Sequence, residues 1–209
     1  MVLANIAGAT PEECAEVAAK LDETDVHMIE LNISCPNVKQ GGAAFGTRCD
    51  MAEEVTKKVR AATKKPLVVK LSPNVTSITE IAKAVEAAGA DAVSLINTLL
   101  GMRIDINTGR PILRNNVGGM SGPAVFPIAV RMVWQVANAV GIPVIGMGGV
   151  SSGRDAIELM MAGASAVQVG AAIFTDPYAP VKIIDEMDDW LDSKGIASVK
   201  DIIGTVKPW

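Results

Sequence analysis

The chain has 209 residues, 49% hydrophobic, 20% charged and only 3% aromatic, with a formal net charge of −4. This composition excludes a disordered or fibrous protein and leaves Val, Ile, Leu, Ala and Met to build one sizeable core. The acidic balance, without a Lys/Arg stripe, argues against a nucleic-acid partner, and no apolar run reaches the roughly 18–20 residues of a membrane span.

In chain order, short β-branched runs alternate with longer segments of helical period. A strand is predicted over Val2–Ile6, with no basic leader that would mark a signal peptide. A helix over Pro11–Leu21 follows, started by Thr10 with Glu13 three residues on. Next come a strand at Met28–Ile33, a helix at Met51–Ala62 and a strand at Leu67–Leu71. The helix Ile78–Ala88 is started by Ser77 with Glu80 three residues on. Beyond it the pattern gives a strand at Ala92–Ile96, a long insert at about 99–123, and a helix at Ala124–Val140. The last elements are a strand at Pro143–Met147, a helix at Gly153–Ala162, a strand at Ala166–Val169 and a helix at Ala179–Lys194.

The strands are apolar on both faces, as in parallel sheets covered by helices. Lys-Pro-Leu-Val-Val (65–69) and Ile-Pro-Val-Ile (142–145) each open a strand. Each is followed by a helix and then by Ala-Gly-Ala-x-Ala-Val (88–93 and 162–167), where the glycine ends the helix. This repeat points to a (β/α) barrel in a single domain over 1–209, or else to an open doubly wound sheet. Six strands are countable where a closed barrel needs eight, so either the sheet is open or the chain begins partway round a barrel. The insert holds five glycines and two prolines. On a βα connection of a barrel it falls on the catalytic face.

Three cysteines without a CxxC pair argue against a disulfide scaffold or a zinc site, and for a reduced, cytoplasmic setting. Cys14 and Cys49, in or beside helices, read as small buried hydrophobes. Cys35 keeps different company. The segment Glu30-Leu-Asn-Ile-Ser-Cys-Pro-Asn-Val-Lys-Gln-Gly-Gly (30–42) delivers Asn32, Ser34, Cys35 and Asn37 at a strand's C-terminal end. Amides there can hold a planar ligand through paired donors and acceptors.

A second cluster pairs Gly146-Met-Gly-Gly-Val (146–150), before a Ser-Ser-Gly helix start, with Val169-Gly-Ala-Ala (169–172). Exposed backbone N–H groups and a helix dipole at successive strand ends make a phosphate grip. Lys70 ends its strand pointing to the barrel's interior or mouth, where an ammonium needs a function or a partner; Glu30 is the structural candidate. Asn97 and Thr98 add an amide and a hydroxyl to the same rim. His27, the one histidine, lies at the opposite strand end and reads as structural or surface. No His/Asp/Glu cluster suggests a metal.

These residues resemble the class 1 dihydroorotate dehydrogenases, specifically the catalytic subunits of the NAD-linked type 1B group, over their C-terminal two-thirds. The most specific match is Asn-Ile-Ser-Cys-Pro-Asn-Val-Lys-Gln-Gly-Gly (32–42) with Phe45-Gly46. The insert's Asp-Ile-Asn-Thr-Gly-Arg-Pro (105–111) and Gly-Gly-Met-Ser-Gly-Pro (118–123) add to it. The resemblance implies a TIM (β/α)8 barrel, here with six of eight strands, that oxidises (S)-dihydroorotate to orotate in pyrimidine biosynthesis.

It also implies roles. Cys35 is the base at C5, and hydride passes from C6 to FMN. Asn32, Asn37, Asn97 and Thr98 hold the substrate. Asn5, Asn32, Lys70 and Ile96 contact the flavin. Gly122, Gly148, Gly149, Gly170 and Ala171 cradle the ribityl phosphate. A partner subunit with FAD and a 2Fe–2S cluster, in a heterotetramer built on a homodimer, follows from the same resemblance.

With its first two strands absent, the chain alone is expected to bind FMN weakly and to have open apolar edges at its first and last strands. Two rivals differ in class. A non-redox phosphate-binding barrel would use Lys70 as a Schiff base, and an inactive fragment would do no chemistry. Yellow colour separates the flavoprotein from both.

Overall fold

A computed structural model describes residues 1–34 and 42–209. Six parallel strands form one sheet: β1 (Leu3–Ile6), β2 (Met28–Asn32), β3 (Leu67–Lys70), β4 (Ala92–Leu95), β9 (Val144–Met147) and β10 (Ala166–Gln168), hydrogen-bonded in that order. Between β4 and β9 the insert folds as two small antiparallel ribbons. β5 (Leu99–Gly101) pairs with β8 (Gly118–Met120), and β6 (Ile104–Asp105) pairs with β7 (Arg110–Pro111). Helices α1 (Pro11–Asp22), α2 (Cys49–Ala62), α3 (Ile78–Ala87), α4 (Phe126–Ala137), α5 (Gly153–Met161) and α6 (Ala179–Lys194) complete the pattern. The sheet curls as a half-barrel, and β1 and β10 are its two edges. Among the described residues no helix is long and apolar enough to cross a membrane.

The central strands are buried on both faces. Leu67, Val68 and Val69 of β3 and Val93 and Leu95 of β4 are fully enclosed. Burial of each such side chain is worth about 1.5–3 kcal/mol, which is why the middle of the sheet is a continuous apolar run. The edges are wetter: Asn5 on β1 and Ala166 on β10 are exposed.

The Ala-Gly-Ala repeat has a common geometry. Gly89 and Gly163 turn at φ +97° and +118°, which side chains rarely adopt. Two residues on, Asp91 N–H donates to Leu67 O at 2.8 Å and Ser165 N–H to Val144 O at 2.7 Å. Each unit therefore starts its next strand on the first residue of the previous one.

Three local expectations are corrected. Ser77 makes no capping bond to the α3 backbone, because its hydroxyl lies 3.0 Å from Thr79 Oγ1. Thr10 does cap α1, accepting from Glu13 N at 3.2 Å, but Glu13 reaches back to Ala9 N–H rather than to Thr10. Cys49 is exposed at the first residue of α2, not buried. Cys14 is buried as expected, and burial, with Glu13 nearby, pushes its thiol up to about 11. Exposed His27 accepts the Val2 N–H on Nδ1 at 3.0 Å, a structural tie at the N-terminal end of the sheet.

Candidate functional site

The C-terminal ends of β3, β4, β9 and β10 enclose a cleft of about 220 Å³. Lys70 comes from the end of β3, and Ile96, Asn97 and Thr98 follow β4. Gly148 and Gly149 follow β9, Gly170 and Ala171 follow β10, and Gly122 comes from the insert. Nine predicted site residues thus meet on one surface. Ser121, Met147, Gln168 and Val169 line it as well, and sequence reasoning did not single them out. Asn5 and Asn32 stand on β1 and β2, Asn32 in register with Lys70. Cys35 and Asn37 lie outside the described residues.

The insert closes one side of the cleft. Asn74 Nδ2 donates to Thr98 O at 2.9 Å, and Leu100 N–H donates to Asn74 Oδ1 at 3.0 Å, tying the loop after β3 to the start of β5. Gly119 of β8 lies directly over Thr98, whose hydroxyl occupies the space a Cβ would need.

The glycine wall is a set of backbone donors. Gly148 and Gly149 sit at φ +119° and +82°. A Cβ on Gly149 would stand 2.7 Å from Gly122 O and 2.9 Å from Phe126 Cβ. Among the described residues, the N–H groups of Gly148, Gly149 and Gly170 donate to no protein acceptor. Such unpaired donors at a cleft suit an anion.

The expected helix-dipole contribution does not hold. Asp155 accepts from Ser151 N, Ser151 Oγ and Ser152 N at 2.8–3.0 Å. Ser152 Oγ accepts from Asp155 N at 3.2 Å, and Glu186 of α6 accepts from Gly153 N at 2.5 Å. Two carboxylates already occupy the α5 N-terminus, so the glycine turns are what remains for a ligand. An adjoining hollow of about 380 Å³ shares Gly122, Gly149 and Ala171 with the cleft. Its one lysine, Lys182, is engaged with Asp176 at 2.6 Å and holds that carboxyl below the usual range.

Lys70 forms no ion pair or hydrogen bond among the described residues. The structural alternative, a pair with Glu30, does not form. Glu30 is 4% exposed and takes neutral donors instead: Asn5 Nδ2 at 2.5 Å, Ser94 Oγ at 2.6 Å and Gln168 Nε2 at 3.5 Å. A half-buried ammonium without a carboxylate is left facing the cleft, beside anion-seeking glycines.

The family described as "Dihydroorotate dehydrogenase" matches residues 1–191. The chain is 56% identical to the "dihydroorotate dehydrogenase B (NAD(+)), catalytic subunit" of Alkaliphilus oremlandii over 203 residues, 97% of this chain and 67% of that protein. It is 58% identical to the protein of the same name from Bacteroides thetaiotaomicron over 207 residues, 99% of this chain and 68% of that one. The chain belongs to the dihydroorotate dehydrogenase family.

A crystal structure of the family's member from Eimeria tenella, in complex with ferulenol, superposes with a TM-score of 0.81 at 22% identity. It covers 96% of this chain and 60% of that one, so the half-barrel is part of the same fold. The chain spans about two thirds of the length of its bacterial dihydroorotate dehydrogenase relatives.

Proposed function

We propose that this chain forms, in one domain, the flavin- and substrate-binding face of a cytoplasmic dihydroorotate dehydrogenase that oxidises (S)-dihydroorotate to orotate in pyrimidine biosynthesis. One observation carries the reading. Lys70, Asn97 and Thr98 converge with unpaired glycine N–H groups on a single cleft, in a chain more than half identical to catalytic subunits of that name.

FMN suits the residues present. Its phosphate needs donors without side chains in the way, which Gly122, Gly148, Gly149, Gly170 and Ala171 offer. Its ring needs a nearby cation and an apolar wall, which Lys70 and Ile96 offer, with Asn5 and Asn32 at the adjacent strand ends. When bound, FMN supplies the two-electron acceptor that no side chain can provide.

The remaining work falls to the chain. Asn32, Asn37, Asn97 and Thr98 orient the pyrimidine through its amide and carbonyl groups. Cys35 takes the C5 proton at its sulfur. A thiol of ordinary pKa, about 8.5, is a few per cent thiolate at neutral pH and reactive in that form. The relatives' name as NAD(+)-linked catalytic subunits supports an electron-transfer partner. We assign that partner FAD and a 2Fe–2S cluster, in a heterotetramer around a homodimer.

The test is anaerobic mixing of the FMN-loaded full-length protein with dihydroorotate. The flavin should bleach and orotate should appear. Cys35→Ser should keep FMN but slow bleaching by about 10²–10⁴-fold, the usual weight of a positioned base. A protein that takes up no FMN, or whose Cys35→Ser variant bleaches at the original rate, would overturn the assignment.

A further inference from the structure

Ser34 lies two residues beyond β2, 2% exposed, between the amides of Asn32 and Asn97, both assigned to the substrate in the proposed function. Its hydrogen bonds leave no freedom of direction. Asn97 Oδ1 accepts the Thr98 N–H at 2.7 Å, so the other end of that amide is the NH2. That NH2 donates to Ser34 O at 3.2 Å and to Ser34 Oγ at 2.7 Å. Having accepted there, Ser34 Oγ donates to Asn32 Oδ1 at 2.8 Å, which also accepts the Ser34 N–H at 3.1 Å. Both backbone N–H groups are donors only, so neither amide can be flipped without losing a bond.

A one-way chain therefore runs from Thr98 through Asn97 and Ser34 to Asn32. Its end is free: Asn32 Nδ2 donates to nothing among the described residues, and Asn32 stands in register with Lys70. Bonds in such a chain polarise one another, which strengthens the terminal donor.

We propose that Ser34 is the positioning residue that locks Asn32 with its NH2 outward, so that this end of the site recognises an acceptor, the carbonyl or carboxylate oxygen of a planar anion. The proposal rests on the function proposed above and names the polarity of its substrate pocket.

The test uses FMN-loaded full-length protein and orotate, followed by the flavin difference spectrum. Ser34→Ala leaves only the backbone N–H to hold Asn32 Oδ1, so orotate binding should weaken about 3- to 10-fold, the weight of one lost neutral hydrogen bond. FMN affinity and the unfolding midpoint should fall less than orotate affinity does, and Ser34→Thr, which keeps the hydroxyl, should recover most of the loss. Side-chain amide spectra of ¹⁵N-asparagine-labelled protein supply a ligand-free readout. The Asn97 NH2 resonances should move in Ser34→Ala and return in Ser34→Thr.

Unchanged orotate affinity in Ser34→Ala, or equal losses of orotate, FMN and stability, would overturn the positioning role. If the unmodified protein binds no orotate, the proposed function falls. The amide spectra then decide the role of Ser34, and unmoved Asn97 resonances would overturn it.

Discussion

Oγ of Ser94 on β4 donates at 2.6 Å to Oε1 of Glu30 on β2, reaching past the strand between them. With Asn5 on the other carboxylate oxygen, this bond ties three strands together inside the half-barrel. It also explains why Lys70 is left for the cleft, since the buried carboxylate of Glu30 is already satisfied by neutral donors.

Removing the acceptor should therefore be costly. Glu30→Ala strands the buried Ser94 hydroxyl and the Asn5 amide, and should destabilise the fold by about 1–3 kcal/mol. Glu30→Gln, which keeps one acceptor, should lose less. Urea unfolding of the three proteins checks the order; equal midpoints would remove Glu30 from the role of hub.

Lys70→Ala should weaken FMN retention and lower the potential of the bound flavin, because a site that accepts electrons loses its nearby cation. Lys70→Arg should fall between the two. A spectroelectrochemical titration reads this directly, and a potential equal to that of the unmodified protein would place Lys70 away from the ring.

Cys14 gives a pH signature. Burial raises its thiol from 9.0 to about 11, so between those values the unfolded chain loses a proton that the native chain keeps. The stability this thiol contributes, on the order of 2 kcal/mol, is thus fully present below pH 9 and is lost as pH rises toward 11. The stability difference between the unmodified protein and Cys14→Ala should be constant below pH 9 and shrink above it. In the folded state a disulfide reagent should modify exposed Cys49 and spare Cys14 until unfolding.

Two glycines at positive φ should respond differently to alanine. Gly195 caps α6 at φ +64° with nothing within 4 Å of an added Cβ, so Gly195→Ala should cost about 1–2 kcal/mol of backbone strain. Gly149→Ala adds a clash with the backbone oxygen of Gly122 and should cost about 3 kcal/mol or more. It should also disturb the cleft, which thermal melts and FMN titration together would show.

The two helix starts provide a further contrast. Ser152→Ala removes a complete capping box and should cost about 1 kcal/mol. Ser77→Ala removes no capping bond and should lie within about 0.5 kcal/mol of the original.

What the sequence determined by itself is local and periodic. The parallel strands follow from short, mostly apolar runs between segments of helical period, and they form within a residue or so of the pattern. The two Ala-Gly-Ala units follow from the one residue able to turn at the φ of Gly89 and Gly163. The cluster of polar residues around Asn32 and Ser34, at a strand's end, is likewise visible in the sequence. The tertiary structure decided the partners. Glu30 and Lys70 are both compatible with an ion pair in sequence, yet the curl of the sheet brings Ser94 and Asn5 to the carboxylate instead. The Ser-Ser-Gly start of α5 carries the signal of an anion site, but α6 delivers Glu186 to its amides from 33 residues away. Cys14 and Cys49 sit on similar helical segments, and only packing buries one and exposes the other. Spacing along the chain reports which side of an element faces inward; which donor meets which acceptor across the sheet depends on how the strands curl and stagger, and that is settled only when the whole core packs.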